Sequence, residues 1–345
     1  MKNRLEQNIL RQIKATGPIR LDEFMTICLQ HPTDGYYTSR DPLSSRRDFV
    51  TAPEIGSLFG DIIGSWLAHQ IQSCGFNNCQ MVELGPGSGR LSQQINHALG
   101  QFCPQALQGY FLLETSPILR QIQHTRLPHA QHIADLSELP RDKTTLLVAN
   151  EFLDALPLRA FAKQNQNYHE VFVTWDAVEN LTWKPSRWPT PKRDIPIWAY
   201  GEPFVEHSPQ AYQIVDHICQ HIHETGGIAL FIDYGTYGDR QQFSFRGFQN
   251  HEQVSFVHAP GETDLTWTID FRMLEHVAKQ YQLATVGPYP QGKFLQEAGL
   301  NERKEKLADT FPHRRQALEQ EMLMLAGQEH MGQSFKVFAV ARLTR

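Results

Sequence analysis

One segment constrains this chain more than any other: Met81-Val82-Glu83-Leu84-Gly85-Pro86-Gly87-Ser88-Gly89-Arg90. An apolar run ends in three glycines spaced G-x-G-x-G, and Leu91, Ile95, Ala98 and Leu99 then recur at helical spacing. A strand that turns directly into a helix is the unit from which parallel sheets are wound. The pattern repeats from about residue 80 onward, with short apolar runs at 80–84, 110–114, 132–135, 144–150, 227–234, 284–286 and 336–342. Several are apolar throughout, as strands covered on both faces must be. The expectation is a Rossmann-like α/β fold, a doubly wound sheet of seven strands.

Helical patterns precede it. Leu5, Ile9 and Ile13 share one face, and Leu21, Phe24, Met25, Cys28 and Leu29 follow the Gly17-Pro18 turn. Thr51-Ala52-Pro53-Glu54 has the form of a capping box opening a helix through Ile55, Leu58, Phe59, Ile62, Ile63, Trp66 and Leu67. Between 160 and 210 the alternation breaks. A hairpin around Asn165-Gln166-Asn167 is followed by six prolines together with Trp183, Trp188 and Trp198. So much tryptophan argues against a linker and for an insertion after the fourth strand. The predicted organisation is a helical N-terminal region over 1–53, a core over 54–159 and 211–345, and an inserted segment over 160–210.

The glycine turn is a ligand signal. Glycine accepts positive φ and lets backbone approach a ligand closely, and the following helix presents unpaired N–H groups. A dinucleotide fingerprint would read G-x-G-x-x-G. Here the spacing is shorter, and Glu83 closes the preceding strand. A carboxylate there repels a pyrophosphate and suits an ammonium, which favours S-adenosyl-L-methionine over NAD. Gly85, Gly87 and Gly89 are therefore read as cofactor-binding with Glu83. Glu114 ends the next strand, where nucleotide-binding sheets place an acid on the ribose hydroxyls. Asp135, ending the third, reads equally as an acceptor for an adenine amino group or as a helix N-cap. The fourth strand ends in Asn150-Glu151-Phe152-Leu153-Asp154, at the edge where open α/β sheets bind ligands. Glu151 and Asp154 suit a guanidinium, whose planar fork matches carboxylate oxygens. His217 and His221 stand four apart, but no glutamate follows His217 as it does in a zinc-protease helix, so no metal is assigned. Asp233-Tyr234-Gly235 ends a buried strand, by default in a turn, and Asp264-Leu265-Thr266 could simply precede and cap the helix carrying Phe271, Leu274 and Val277.

The chain resembles the MidA-like methyltransferases, a family that includes the mitochondrial complex I assembly arginine methyltransferase. The resemblance runs nearly end to end: His31-Pro32, Gly35-Tyr36-Tyr37, Asp48-Phe49-Val50-Thr51-Ala52-Pro53-Glu54-Ile55, the glycine turn, and Asn150 to Pro157. It continues through Asp233-Tyr234-Gly235, Arg246-Gly247-Phe248, Pro260 to Thr266, Gln291-Gly292 with Phe294-Leu295, and Met331-Gly332 with Phe335-Lys336-Val337. It implies a class I methyltransferase fold of seven strands and S-adenosyl-L-methionine as cofactor. It also implies methylation of arginine in a protein, with a respiratory-complex subunit as the kind of substrate. Arg47 and Ser44 stand where the family usually has glycine, which bears on the shape of the loop over 41–51.

Composition narrows the alternatives. Lys+Arg 32 against Asp+Glu 37 gives a net charge of −5, which offers no basic field to nucleic acid. No apolar run approaches the ~20 residues of a membrane span, and 1–14 lacks the apolar block of a secretory signal. Five scattered cysteines suit a reducing compartment. The expected setting is the cytoplasm. Two competing readings remain at this stage, a NAD-dependent oxidoreductase and a non-catalytic assembly factor that binds the cofactor and works through its tryptophan-rich segment.

Overall fold

A computed structural model describes residues 2–39, 51–178 and 180–343. The chain divides into two compact units, one of Val50–Phe152, Val215–Gly235 and Val277–Arg345, the other of Met1–Phe49, Leu153–Ile214 and Thr236–His276.

The first is built on a sheet of seven strands in one path, β1 (Cys79–Leu84), β2 (Leu107–Leu113), β3 (Gln131–Ile133), β4 (Thr144–Asn150), β5 (Gly227–Thr236), β6 (Ala284–Pro290) and β7 (Phe335–Arg342). Their order is β6-β7-β5-β4-β1-β2-β3. β1 to β5 run parallel and β7 lies antiparallel between β5 and β6. All seven strands expected from the sequence are present. A two-residue strand, Ile269–Asp270, is added off this path, where the Phe271 N–H donates to the Thr236 carbonyl. Among the described residues this makes eight strands where seven were expected. β5 runs on to Thr236, two residues past the expected strand end at Tyr234, where a turn was the default reading.

β1 and β4 are buried at every residue, which explains their mainly apolar centres, Met81-Val82 and Leu146 to Ala149. Their order reverses between β1 and β4, because β2 and β3 extend one way and β5 the other. A crevice at the carboxyl ends of the strands is expected at such a switch point. Leu58–Cys74 packs against Arg90–Phe102 at small residues: a Cβ on Gly64 would fall 2.6 Å from that of Ala98. The expected capping box does not form. The short helix Ala52–Ile55 has no side-chain cap, and a separate helix begins at Leu58. Its first N–H is met by the buried Glu321, which accepts from Leu58 at 2.5 Å. That satisfies an amide which a helix start otherwise leaves unpaired.

The other unit gathers three stretches of chain. The helices Arg4–Thr16 and Leu21–Gln30 turn Leu5, Ile9, Ile13, Phe24 and Leu29 inward. An antiparallel sheet orders Ile19–Arg20, Asn167–Trp175, Arg159–Gln164 and Phe204–His207, with Leu181–Pro185 paired to Asn167–Trp175. The expected hairpin is its centre, turning at Asn165 with φ 57°. Phe161, Tyr168, Ile195, Ala199 and Val205 form its core, and Trp198 stacks on Tyr212 with ring centroids 5.5 Å apart. A second sheet joins Glu252–Val254, Arg246–Gln249 and Asp264–Thr266. Among the described residues no helix is long and apolar enough to cross a membrane.

Candidate active site

The glycine turn leaves β1 with three left-handed residues, Gly85 at φ 60°, Gly87 at 53° and Gly89 at 77°. This backbone explains why glycine occupies each position. A Cβ on Gly85 would lie 2.7 Å from the Phe152 ring, whereas one on Gly87 would meet nothing within 4 Å. Gly87 thus lines open space that a side chain would fill. Glu83 does not face that space as an open carboxylate. It is 2% exposed and accepts from the Ser92 hydroxyl on the following helix. Burial pushes its pKa up to about 7, against the opposing pull of that hydrogen bond.

Glu114 follows β2 and is buried, its carboxylate accepting from the Ser116 N–H at 2.8 Å and from Gln123 Nε2 at 3.2 Å. Burial raises its pKa, and the Ser116 hydrogen bond works against the rise. Gln123 Nε2 also donates to the Gly87 carbonyl at 2.7 Å, so one buried amide ties this acid to the turn. Nothing in the sequence pattern singled out Gln123. Asp135 is an exposed cap in a capping box, accepting from the Ser137 N–H at 2.8 Å while Glu138 reaches back to the Asp135 N–H at 2.9 Å. Hydrogen bonding to Ser137 lowers its pKa. At the end of β4, Asn150 Nδ2 donates to Glu151 Oε1 at 3.2 Å, while its buried Oδ1 has no partner. A buried acceptor left open is costly unless a ligand or water meets it.

Glu151 and Asp154 belong to different units. Glu151, in the sheet unit, holds a left-handed backbone at φ 50° and accepts from the Ala52 N–H at 3.1 Å. Asp154, in the other, accepts from the Thr266 hydroxyl at 2.7 Å. Burial pushes the Asp154 pKa up to about 6, with the Thr266 bond and the Arg246 charge pulling it down. Nearby, Tyr37 donates to Asp264 Oδ1 at 3.0 Å. The expected cap at 264–266 is therefore a strand whose side chains meet Tyr37 and Asp154. The helix N–H at Arg272 is met by Asp270 at 3.1 Å.

Two further groups escaped the sequence reading. Glu54 accepts from the Ser88 hydroxyl, inside the glycine turn. Arg90 Nη1 donates to the Glu54 carbonyl at 3.2 Å, and Arg126 Nη1 to Ser88 Oγ at 3.1 Å. The capping-box pattern disguised Glu54 as a helix starter. His221 is a buried core residue, its Nε2 2.9 Å from Thr145 Oγ1, and burial lowers its pKa. Ser44, Arg47 and Asp48-Phe49-Val50 lie outside the described residues.

The donor set suits S-adenosyl-L-methionine. The turn offers backbone and open space at Gly87, Glu114 supplies a buried carboxylate just after β2, and Asn150 presents an unmet acceptor at the sheet edge.

Residues 62–289 match the sequence family described as "Putative S-adenosyl-L-methionine-dependent methyltransferase". A human relative, "Protein arginine methyltransferase NDUFAF7, mitochondrial", is 33% identical over 97% of this chain and 82% of its own length. The Caenorhabditis elegans homolog of that protein is 32% identical over 98% of this chain and 86% of its own. A Burkholderia thailandensis protein solved with S-adenosyl-homocysteine superimposes with a TM-score of 0.83, covering 99% of this chain and 92% of that one. At 24% identity it speaks for the fold alone. The relatives' designation as mitochondrial overturns the cytoplasmic setting expected from the sequence. By the family match and by near-complete alignment with its relatives, this chain belongs to the S-adenosyl-L-methionine-dependent methyltransferases.

Proposed function

We propose that this enzyme methylates arginine in a protein substrate. The observation carrying the reading is that relatives aligned over 97–98% of the chain are named protein arginine methyltransferases. The family resemblance points to a respiratory-complex subunit as the substrate. Two carboxylates close after β4 support it, since a guanidinium must be held and must lose a proton on methylation.

S-adenosyl-L-methionine, when bound, supplies an electrophilic methyl on its sulfonium. Gly85, Gly87 and Gly89 bring backbone against it, Glu114 accepts from the ribose hydroxyls, and the outer oxygen of Asp135 accepts from the adenine amino group. Asn150 offers Oδ1 on the β4 side, and Glu83 steadies the turn from within through Ser92. From their place in the sequence, Glu151 and Asp154 are the carboxylates assigned to the guanidinium, and Asp154, its pKa pushed up to about 6 by burial, is assigned the departing proton.

The test is transfer of labelled methyl from S-adenosyl-L-methionine into proteins of cells lacking the enzyme, with mass spectrometry of the labelled residues. ω-Methylarginine is expected. Label only on lysine or carboxylate would overturn the assignment of substrate. Full cofactor binding with no acceptor, together with rescue of the cells by a transfer-dead variant, would favour the assembly factor.

A further inference from the structure

The strand order would set how an extended cofactor lies along the sheet edge. If Glu114 after β2 held the ribose and the adenine lay toward β3, the amino-acid end would run the other way, past β1 toward β4. One segment covers that stretch. Thr51 to Glu54 meets β4 at one end, where the Ala52 N–H donates to Glu151, and the glycine turn at the other, where Glu54 accepts from Ser88. Around Glu54 stand Arg90, 3.6 Å from its carboxylate, and Arg126, joined to the same serine. One carboxylate beside two guanidiniums on an open glycine turn complements a zwitterion, which carries an ammonium and a carboxylate on one carbon.

We infer that Glu54, not Glu83, reads the α-ammonium of the cofactor's amino-acid end, with Arg90 and Arg126 facing its carboxylate. The assignment rests on the cofactor site described above. It goes beyond it by moving the ammonium contact off the strand. Glu83 is turned inward to Ser92 and is 2% exposed, so little of its carboxylate is open to a ligand. Glu54 keeps part of its side chain accessible, at 25%.

The experiment compares two ligands by calorimetry, S-adenosylhomocysteine and 5′-methylthioadenosine, which lacks the amino-acid end. Glu54→Gln should weaken S-adenosylhomocysteine about tenfold or more while leaving 5′-methylthioadenosine within about twofold. Ser88→Ala removes the tie between the segment and the turn but keeps the Glu54 charge, so it should preserve the wild-type ratio of the two affinities. Glu83→Gln should also preserve that ratio. A Glu54→Gln protein that loses both ligands equally, or neither, overturns the inference and leaves Glu54 as a strut. So does a selective loss of S-adenosylhomocysteine in Glu83→Gln. Failure of the wild-type enzyme to bind either ligand would instead strike the cofactor site itself.

Discussion

The acids of the glycine turn and the acid of the Arg246–Thr266 sheet differ in how far the chain must reach to build their surroundings. Glu83 finds Ser92 nine residues away, and Glu114 finds Ser116 two away and Gln123 nine away. Asp154 is held by Thr266, 112 residues further on, and Tyr37 reaches Asp264 across 227. The nearest partners of Glu83 and Glu114 thus come from their own strand–turn–helix units, with longer ties from Gln123 to Gly87 and from Ser88 to Glu54, 36 and 34 residues apart. The Asp154 cluster exists only once three distant segments have come together. The first kind of site tolerates distant change and is sensitive to its own backbone. The second is sensitive to anything that shifts the segments.

The largest effect should come from removing both substrate carboxylates. Glu151→Gln/Asp154→Asn should lose about 10²-fold or more in methyl transfer, with S-adenosylhomocysteine affinity by calorimetry nearly unchanged. Unimpaired transfer would end the roles given to these residues. Next in size is Glu114→Ala, which should weaken S-adenosylhomocysteine by about 1.5–3 kcal/mol if the proposed charge-assisted ribose contact holds. An unchanged dissociation constant would leave Glu114 as a brace for Ser116 and Gln123.

The glycines separate backbone from space. Gly87→Ala places a methyl in the open cradle at positive φ, at a cost of about 1 kcal/mol in strain, and should weaken the cofactor with a small change in melting temperature. Gly85→Val must also displace Phe152 and should lower the melting temperature markedly. Equal melting losses in the two would mean that the Gly87 space is not a binding cradle. The smallest effect concerns pH. Asp154 must be ionised to act, so kcat/KM should rise with pH through about 6. Thr266→Val removes a hydrogen bond that favours the charged form and should move that rise to higher pH. A midpoint that stays in place would detach Thr266 from Asp154. Stability carries the opposite sign. An acid whose folded pKa lies above its unfolded one binds more protons when folded, so Asp154's contribution falls as pH climbs from about 4 to about 6.

The same contrast governs what could be read from the sequence. The central strands were legible because their burial shows as mainly apolar runs, and the glycine turn because glycine readily takes three left-handed residues in five. The Asp264–Thr266 strand was mistaken for a cap, since three residues carry no periodicity and their partners lie elsewhere in the chain. Glu54 was mistaken for half of a capping box because Thr-x-x-Glu is satisfied locally on paper. In the fold, Glu54 bonds to Ser88, and no spacing rule reports a contact across 34 residues. The gathering of 1–49, 153–214 and 236–276 into one unit was equally hidden, because long-range pairing of short strands leaves no composition boundary.

The left-handed backbone of Glu151 sets a cost in strain against a gain in hydrogen bonds. A side chain with a Cβ is uncomfortable at φ 50°, and glycine would relieve that by roughly 1 kcal/mol. Glycine would also forfeit the hydrogen bonds that Glu151 accepts from the Ala52 N–H and Asn150 Nδ2, so the side chain offsets the strain of its own backbone. Selection for heat resistance alone should therefore leave Glu151 in place, and a Glu151→Gly protein should melt no higher than the parent.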